Sequence, residues 1–321
     1  MQNGGINLAF EKLIGNSNVK TLLKNAVQTN NILHSYLFSG IDGIGKGLFA
    51  KEFAHMILCT SNETKPCGIC KSCLEFQGGS HPDFLVIEPE DGKTIKIEQI
   101  RYLQEKIAEK PVTAKKKVYV INNSDTMTRE ASNALLKTLE EPPTYAVLIL
   151  ITANESKLLV TIKSRCTKVA FQPLSEENIK KYFIEKLLAE NKIEENSPTN
   201  HLGEISVNMI KQSQGSLGRL LKIVEEQDTY TKVEQVVNIL EKEDITQIWR
   251  EAEVLYGAKE NILDLLDYMN VIFFEKLRTS KDTKYTKEVS IIEEAKKRIT
   301  ANANYDMTID NLLLKLWEEF R

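Results

Sequence analysis

The sequence has no apolar run of the roughly 18 residues that a membrane-crossing helix requires. Its opening, MQNGGINLAF, has neither the basic nor the apolar segment of a secretory signal. The expectation is a cytoplasmic protein without membrane contact. An excess of positive charge is also missing: 42 Lys and Arg against 45 Asp and Glu give a formal net charge of −3. That excludes coating of nucleic acid through bulk charge, while a local basic face stays open. Proline is absent from 227–321, so nothing there interrupts helical periodicity. Cysteine is scarce, at five, yet four of the five fall between Cys59 and Cys73. With 42% apolar and 27% charged residues the chain is not extended disorder, and 321 residues allow two or three domains with separate cores.

Five apolar segments read as strands: Tyr36–Phe38, His81–Ile87, Val118–Ile121, Ala146–Thr152 and the weaker Thr167–Phe171. Helical spacing separates them, over Phe10–Asn30 with a start signal at Asn16–Asn18, from Leu48 to about Leu58, and over Ile97–Lys110. Near-continuous apolar strands alternating with helices indicate a parallel sheet covered on both faces. The first ~170 residues therefore read as an α/β nucleotide-binding domain.

Between the first strand and its helix lies Gly40-Ile41-Asp42-Gly43-Ile44-Gly45-Lys46-Gly47. Strand, glycine loop and helix are the context of a phosphate-binding loop: backbone N–H groups close on phosphate oxygens and Lys46 reaches the terminal phosphates. The residue after the lysine should be Ser or Thr, whose hydroxyl binds Mg²⁺, and here it is Gly47. Two readings stay open, an inherited turn without nucleotide and nucleotide binding without efficient hydrolysis.

The strand Val118–Ile121 ends at Asn122 and Asn123, Ser124 and Asp125 open a turn, and a helix carrying Ala131, Ala134, Leu135 and Leu139 follows until Pro142 and Pro143 stop it. In an ATPase with such a loop, the position just past this strand carries acidic residues for Mg²⁺ and water. Two amides in their place read as a hydrolysis site stripped of its carboxylates. Lys115, Lys116 and Lys117, just before the strand, read as a solvated turn.

Cys67, Cys70 and Cys73 form Cys-x-x-Cys-x-x-Cys, and Cys59 precedes them with seven residues between. Four thiolates at this spacing suit a closed tetrahedral Zn²⁺ site, structural rather than catalytic, with Pro66 and Gly68 permitting the turns. An iron–sulfur cluster, a disulfide pair and free thiols are the alternatives.

LHSYLFSG before the glycine loop, GIGKG within it, the four cysteines, ASNALLKTLEEPP at 131–143 and VTIKSRC at 160–166 together resemble the bacterial DNA polymerase III delta′ subunits, clamp-loader members of the AAA+ superfamily. The likeness spans about residues 6 to 173. It implies an AAA+ domain at 1–173 with a zinc module at 59–73, a helical lid at 174–226 and an all-α collar at 227–321 that joins five subunits in a ring. It also implies that Arg165, within SRC, is a finger reaching the ATP site of a neighbour. Arg219, in Gly215-Ser216-Leu217-Gly218-Arg219, stands where lid arginines sense nucleotide, with packing or capping as the other role. The ATPase relative, tau/gamma, carries Asp-Glu where this chain has Asn122 and Asn123, so no intrinsic catalysis is expected. The implied partners are tau/gamma and delta subunits, with the sliding clamp and primed DNA met through the complex. Zinc is the implied cofactor, and the ATP and Mg²⁺ site is degenerate.

After Pro173, Ser175 reads as an N-cap for a helix with Ile179, Tyr182, Phe183, Ile184 and Leu187 on its apolar face, followed by a polar loop at Glu194–Thr199. Beyond it come helices marked by Val233, Val236, Val237, Ile239 and Leu240, by Ile245–Leu255 with Trp249, by a more fully buried stretch with Ile262, Leu263, Leu265, Leu266, Met269, Val271, Ile272, Phe273 and Phe274, and by Asn311–Phe320. No catalytic constellation occurs there. Two other readings of the whole chain remain: an active tau/gamma-type ATPase, and a zinc-dependent nucleic-acid-binding module on a relic nucleotide fold.

Overall fold

The apolar strands pair side by side into one parallel sheet in the order β2-β3-β4-β1-β5. A computed structural model of the chain describes residues 9–90, 93–189, 206–240, 245–280 and 286–321. The strands are β1 (Ser35–Ser39), β2 (Phe84–Ile87), β3 (Lys117–Ile121), β4 (Ala146–Thr152) and β5 (Thr167–Ala170). Alternation across the pleat divides their side chains between two cores. Tyr36, Phe38, Val118, Val120, Val147, Ile149 and Ile151 pack on one face with helices α1 (Ser17–Gln28) and α2 (Lys46–Leu58). Leu37, Tyr119, Ile121, Leu148 and Leu150 pack on the other with α4 (Ile97–Ala108) and α5 (Arg129–Glu140). Two short helices, α3 (Lys71–Gln77) and α6 (Val160–Lys163), were not expected from periodicity, because seven and four residues give too few turns to show one.

The helix expected over Phe10–Asn30 begins only at Ser17. Gly15 (φ 65°) and Asn16 (φ 48°) occupy the left-handed region, which a helix cannot pass through. Asn16 does not cap α1 with its side chain; it exchanges hydrogen bonds with the backbone of Gln172, at 3.1 and 2.8 Å.

Lys117 is buried, contrary to a fully solvated lysine turn. Its Nζ donates to the carbonyls of Lys106 (2.9 Å) and Glu109 (3.3 Å), so the cation completes orphan acceptors at the end of α4. Asp83, also buried, accepts from three consecutive backbone N–H groups, those of Val112, Thr113 and Ala114, each at 2.8 Å. Asp83→Ala strands those donors and is expected to cost about 3 kcal/mol of stability, read from denaturant unfolding.

The chain divides into two compact units, Met1–Asn178 and Ile179–Arg321. Helix α7 (Glu176–Ala189) spans the division, and Ser175 Oγ accepts from Asn178 N at its start, as an N-cap does. The loop expected at 194–199 lies outside the described residues. The second unit contains α8 (Val207–Gln212), α9 (Leu217–Glu225), α10 (Gln227–Leu240), α11 (Ile245–Glu251), α12 (Glu253–Gly257), α13 (Ile262–Ser280), α14 (Thr286–Thr300) and α15 (Tyr305–Glu319). Val233, Val236, Val237 and Leu240 are buried as expected, together with Leu265, Tyr268, Met269, Phe273, Leu312 and Leu316. The helix expected over Ile245–Leu255 is two, meeting at Ala252. Trp249, Leu263, Phe274 and Leu314 are exposed on their helices, not core. No helix among the described residues is long and apolar enough to cross a membrane.

Candidate functional site

At the end of β1 the chain turns through the glycine loop into α2. Gly40, Gly43 and Gly45 have φ of 154°, 73° and 95°, a region that side chains with a Cβ avoid. At Gly40 a Cβ would also lie 2.8 Å from the carbonyl oxygen of Phe171. Lys46 is only 5% exposed. Its Nζ donates to the carbonyls of Gly40 and Ile41, both at 2.8 Å, so the ammonium closes the loop on itself. Burial lowers its pKa, against the opposing charges of Asp42 and Asp125.

Gly47 differs from the other glycines. It is helical, and a Cβ there meets nothing within 4 Å. Neither backbone nor packing demands glycine at the position where a hydroxyl would hold Mg²⁺. Gly47→Ala is accordingly expected to stabilise the chain by about 0.5–1 kcal/mol, measured by denaturant unfolding.

Past β3, Asn122 Nδ2 donates to Glu88 Oε1 at 3.3 Å, and its Oδ1 accepts from Asn123 N at 3.1 Å. Asn123 sits at φ 48°, a left-handed conformation that asparagine adopts more readily than most residues. The glycine loop, Lys46, both asparagines and Glu88 line one cavity of about 550 Å³. Positions 122 and 123 lack carboxylates as expected from their sequence, and Glu88, from the neighbouring strand, adds one to the edge of the cavity. Glu88 reaches it because Ile87 and Ile121 are register partners, which sets the residue after β2 beside the residue after β3. Asp125 Oδ1 is bound by Thr152 Oγ1 (2.8 Å) and Ala153 N (3.3 Å) at the end of β4. Glu88 was not visible as part of the site from sequence, and Asp125 does not line the cavity. For Glu88 the signal is the strand register, which the sequence alone does not display.

Arg165 lies at the other end of β1. Its carbonyl accepts from Ser35 Oγ at 2.7 Å, whereas the glycine loop follows Ser39. At about 3.3 Å per residue, those two ends are on the order of 15 Å apart. The guanidinium is 2.8 Å from Glu140 Oε1 and donates to Thr161 O at 3.0 Å. Arg165 and the glycine loop are therefore not brought together within this chain. Glu140, at the end of α5, is a further partner that sequence reading missed, because the pairing is tertiary.

In the second unit, Arg219 Nη2 is 3.3 Å from Asp264 Oδ1, and its backbone N–H is capped by Ser216 Oγ at 3.1 Å.

The four cysteines converge. Cys59 follows α2, Cys67 and Cys70 sit on the connecting loop, and Cys73 lies in α3. Their sulfurs all lie within 4.8 Å of one another, with Cys67 and Cys73 at 3.9 Å. A tetrahedron with metal–sulfur bonds of about 2.3 Å has edges of about 3.8 Å, so the cage fits a single ion. The thiols are free, and 3.9 Å is nearly twice a disulfide bond of about 2.0 Å. Backbone N–H groups of Cys67, Cys70 and Cys73 each approach a cysteine sulfur at 3.4 Å, a donor pattern that favours thiolates. Burial pushes the thiols of Cys59 and Cys73 up. At Cys70 burial acts the same way but is outweighed by hydrogen bonds from Thr60 and Cys73, which bring it down to about 6. Several thiols this close cannot all ionise without a cation among them. The cluster could hold a metal ion.

A protein-family model described as "DNA polymerase III, delta subunit" matches residues 15–175. The chain is 29% identical to DNA polymerase III subunit delta' of Bacillus subtilis over 94% of its length and 95% of that protein's. It is 33% identical to DNA polymerase III subunit tau/gamma of Haemophilus influenzae over 72% of its own length but 34% of the relative's. Among solved structures, a DNA polymerase III gamma subunit-related protein from Thermotoga maritima is 20% identical, with a TM-score of 0.51 over 93% of this chain and 99% of that one. That last likeness concerns the fold alone.

Proposed function

Because the chain belongs to the DNA polymerase III, delta subunit family, we propose that it acts as the delta′ component of a clamp loader, hydrolysing no ATP itself and lending Arg165 to the ATP site of a neighbouring tau/gamma subunit. The observation that carries this reading is the position of Arg165 at the end of β1 away from its own glycine loop. An arginine so placed serves another chain's phosphates or none. A guanidinium supplied in trans neutralises charge developing on the transferred phosphoryl group and makes hydrolysis depend on assembly.

Three features support the absence of hydrolysis here. Gly47 has no hydroxyl for Mg²⁺. Asn122 and Asn123 present amides, which are poorer Mg²⁺ ligands than carboxylates and accept no proton from water. Lys46 is engaged by the loop's own carbonyls. Restoring Asp-Glu at 122 and 123 alone is expected to leave turnover undetectable, because Gly47 would still lack its hydroxyl.

The remaining assignments follow the same reading. Zinc is the ion for Cys59, Cys67, Cys70 and Cys73, closing the module at 59–73 without an open catalytic position. The AAA+ domain occupies 1–173, the lid 174–226 and the collar 227–321. Exposed Trp249, Leu263, Phe274 and Leu314 suit a region that packs against other subunits. Those subunits are tau/gamma and delta in a five-membered ring, and the sliding clamp and primed DNA are met through it, in the cytoplasm. Arg219, held by Asp264 and Ser216, has a packing role in the lid.

The exposed Arg165–Glu140 pair is worth under about 1 kcal/mol. A neighbour's phosphates displace Glu140 easily, so Glu140→Ala is expected to leave the ATP turnover of the complex at least as high as before. Mixing the chain with tau/gamma and delta subunits tests the whole reading. A stable complex whose ATPase needs Arg165 supports it; turnover by the isolated chain sinks it. Tight DNA binding by the isolated chain with a steep salt slope would favour a nucleic-acid-binding module instead.

A further inference from the structure

Behind the cysteine cage runs a buried chain of hydrogen bonds whose direction is fixed at every step. Asp83 N–H donates to His81 Nδ1 at 3.0 Å. That nitrogen is therefore the acceptor, and the proton of the neutral ring sits on Nε2. Nε2 then donates to Ser72 Oγ, 2.8 Å away. The Leu58 carbonyl can only accept, so the Ser72 hydroxyl donates its own hydrogen to it, at 2.6 Å. Ser72, His81 and Asp83 are all buried, and each of these ring, hydroxyl and carbonyl groups has its partner. Phe76 flanks the imidazole, with ring centroids 6.3 Å apart.

The two ends of this chain are significant. Leu58 is the last residue of α2, and its carbonyl belongs to the peptide that leads into Cys59. Ser72 immediately precedes Cys73. Cys59, just past the end of α2, and Cys73, within α3, are the two buried members of the cage, whereas Cys67 and Cys70 sit on the loop between. The bridge thus ties the backbone before one buried ligand to the side chain before the other.

We propose that His81, acting through Ser72, is a positioning residue of the metal centre: it sets the spacing of Cys59 and Cys73 before an ion arrives. This rests on the reading of the four cysteines as a metal site. Groups that orient ligands from behind act on affinity, because the ion then does not have to order them. His55 makes a useful contrast. Its ring stacks on Phe76 at 4.7 Å, in the same packed cluster, but its Nε2 has no hydrogen-bond partner and it takes no part in the chain.

The test is a metal titration of the full-length protein. Metal-free protein is loaded with Co²⁺, its visible spectrum recorded, and Zn²⁺ affinity then measured by competition with a chromophoric chelator, alongside folding by circular dichroism. His81→Phe and Ser72→Ala are each expected to weaken Zn²⁺ binding by about 10- to 100-fold and to distort the tetrahedral cobalt bands, while Ser72→Thr and His55→Phe stay within about threefold of the parent. The double variant is expected to lose no more than the worse single one, since both cut the same bridge. If His81→Phe does not fold, Ser72→Ala and its threonine rescue decide alone. Unchanged affinity in variants that only melt earlier overturns the inference, as does an equal loss in His55→Phe. A parent protein that takes up neither Co²⁺ nor Zn²⁺ overturns the metal site itself, and the inference with it.

Discussion

Arg165→Ala in a reconstituted clamp loader is expected to slow hydrolysis at one neighbouring ATP site by about 10³-fold or more, the range set by arginines supplied in trans. The isolated variant should fold normally. Arg165 is a third exposed by side chain, at 35%, and its contacts are a surface ion pair to Glu140 and a bond to Thr161 O. Neither contributes more than about 1 kcal/mol to stability. The local structure depends instead on the Arg165 carbonyl, held by Ser35 Oγ, which the substitution leaves in place. Folding and catalysis are therefore separable at this residue. Arg165→Lys should recover little, because a single ammonium does not reproduce the planar fork of donors. Single-turnover hydrolysis in the assembled complex is the measurement, since steady-state rates average the affected site with unaffected ones.

The second large effect concerns the cysteines. Cys73→Ser, or removal of metal by a strong chelator, is expected to disorder the segment from Cys59 to Gln77. Structural Zn²⁺ contributes on the order of 10 kcal/mol to small metal-dependent folds. The segment's other supports are the seven-residue α3, the buried Phe76 and the Ser72 bridge to Leu58 and His81, while its loop carries the exposed Ile69. Cys73 is the critical member, being fully buried and placed in α3. Metal content should fall below half an equivalent, and protease cleavage within 60–70 should accelerate. The sheet should persist, because its two cores draw on helices α1, α2, α4 and α5, with only Phe76 from the cysteine segment. Cys73→Ser protein that keeps a full equivalent of zinc and its protease resistance would rule out the tetrahedral assignment.

How far such features could be read in advance depended on whether they are local. β4 was plain from Ala146–Thr152 because seven apolar residues without a breaker have one outcome between two helices. The end of α5 at Glu140 was equally plain from Pro142 and Pro143. The four cysteines announced a cage through spacing alone, and their sulfurs do converge. Features set by tertiary geometry were hidden. Lys117 looked like its two lysine neighbours until the end of α4 placed bare carbonyls beside it. Glu88 joined the cavity edge only through the register of β2 on β3. The late start of α1 follows from left-handed Gly15 and Asn16, and Asn16 is drawn away from capping by Gln172, 156 positions distant. Exposure of Trp249 and Phe274 could not be told from burial, since an apolar stripe looks the same whichever partner covers it.

The proposed role makes one site in this chain silent while another acts on a neighbour. Its most direct test pairs two substitutions in the same assembled complex, Lys46→Ala at the chain's own loop and Arg165→Ala at the far end of β1. Both variant proteins are first checked for folding and assembly, and ATP turnover is then measured with clamp and primed DNA present. The prediction is that Lys46→Ala leaves turnover unchanged and Arg165→Ala cuts it sharply. Loss of turnover with Lys46→Ala and none with Arg165→Ala would contradict it.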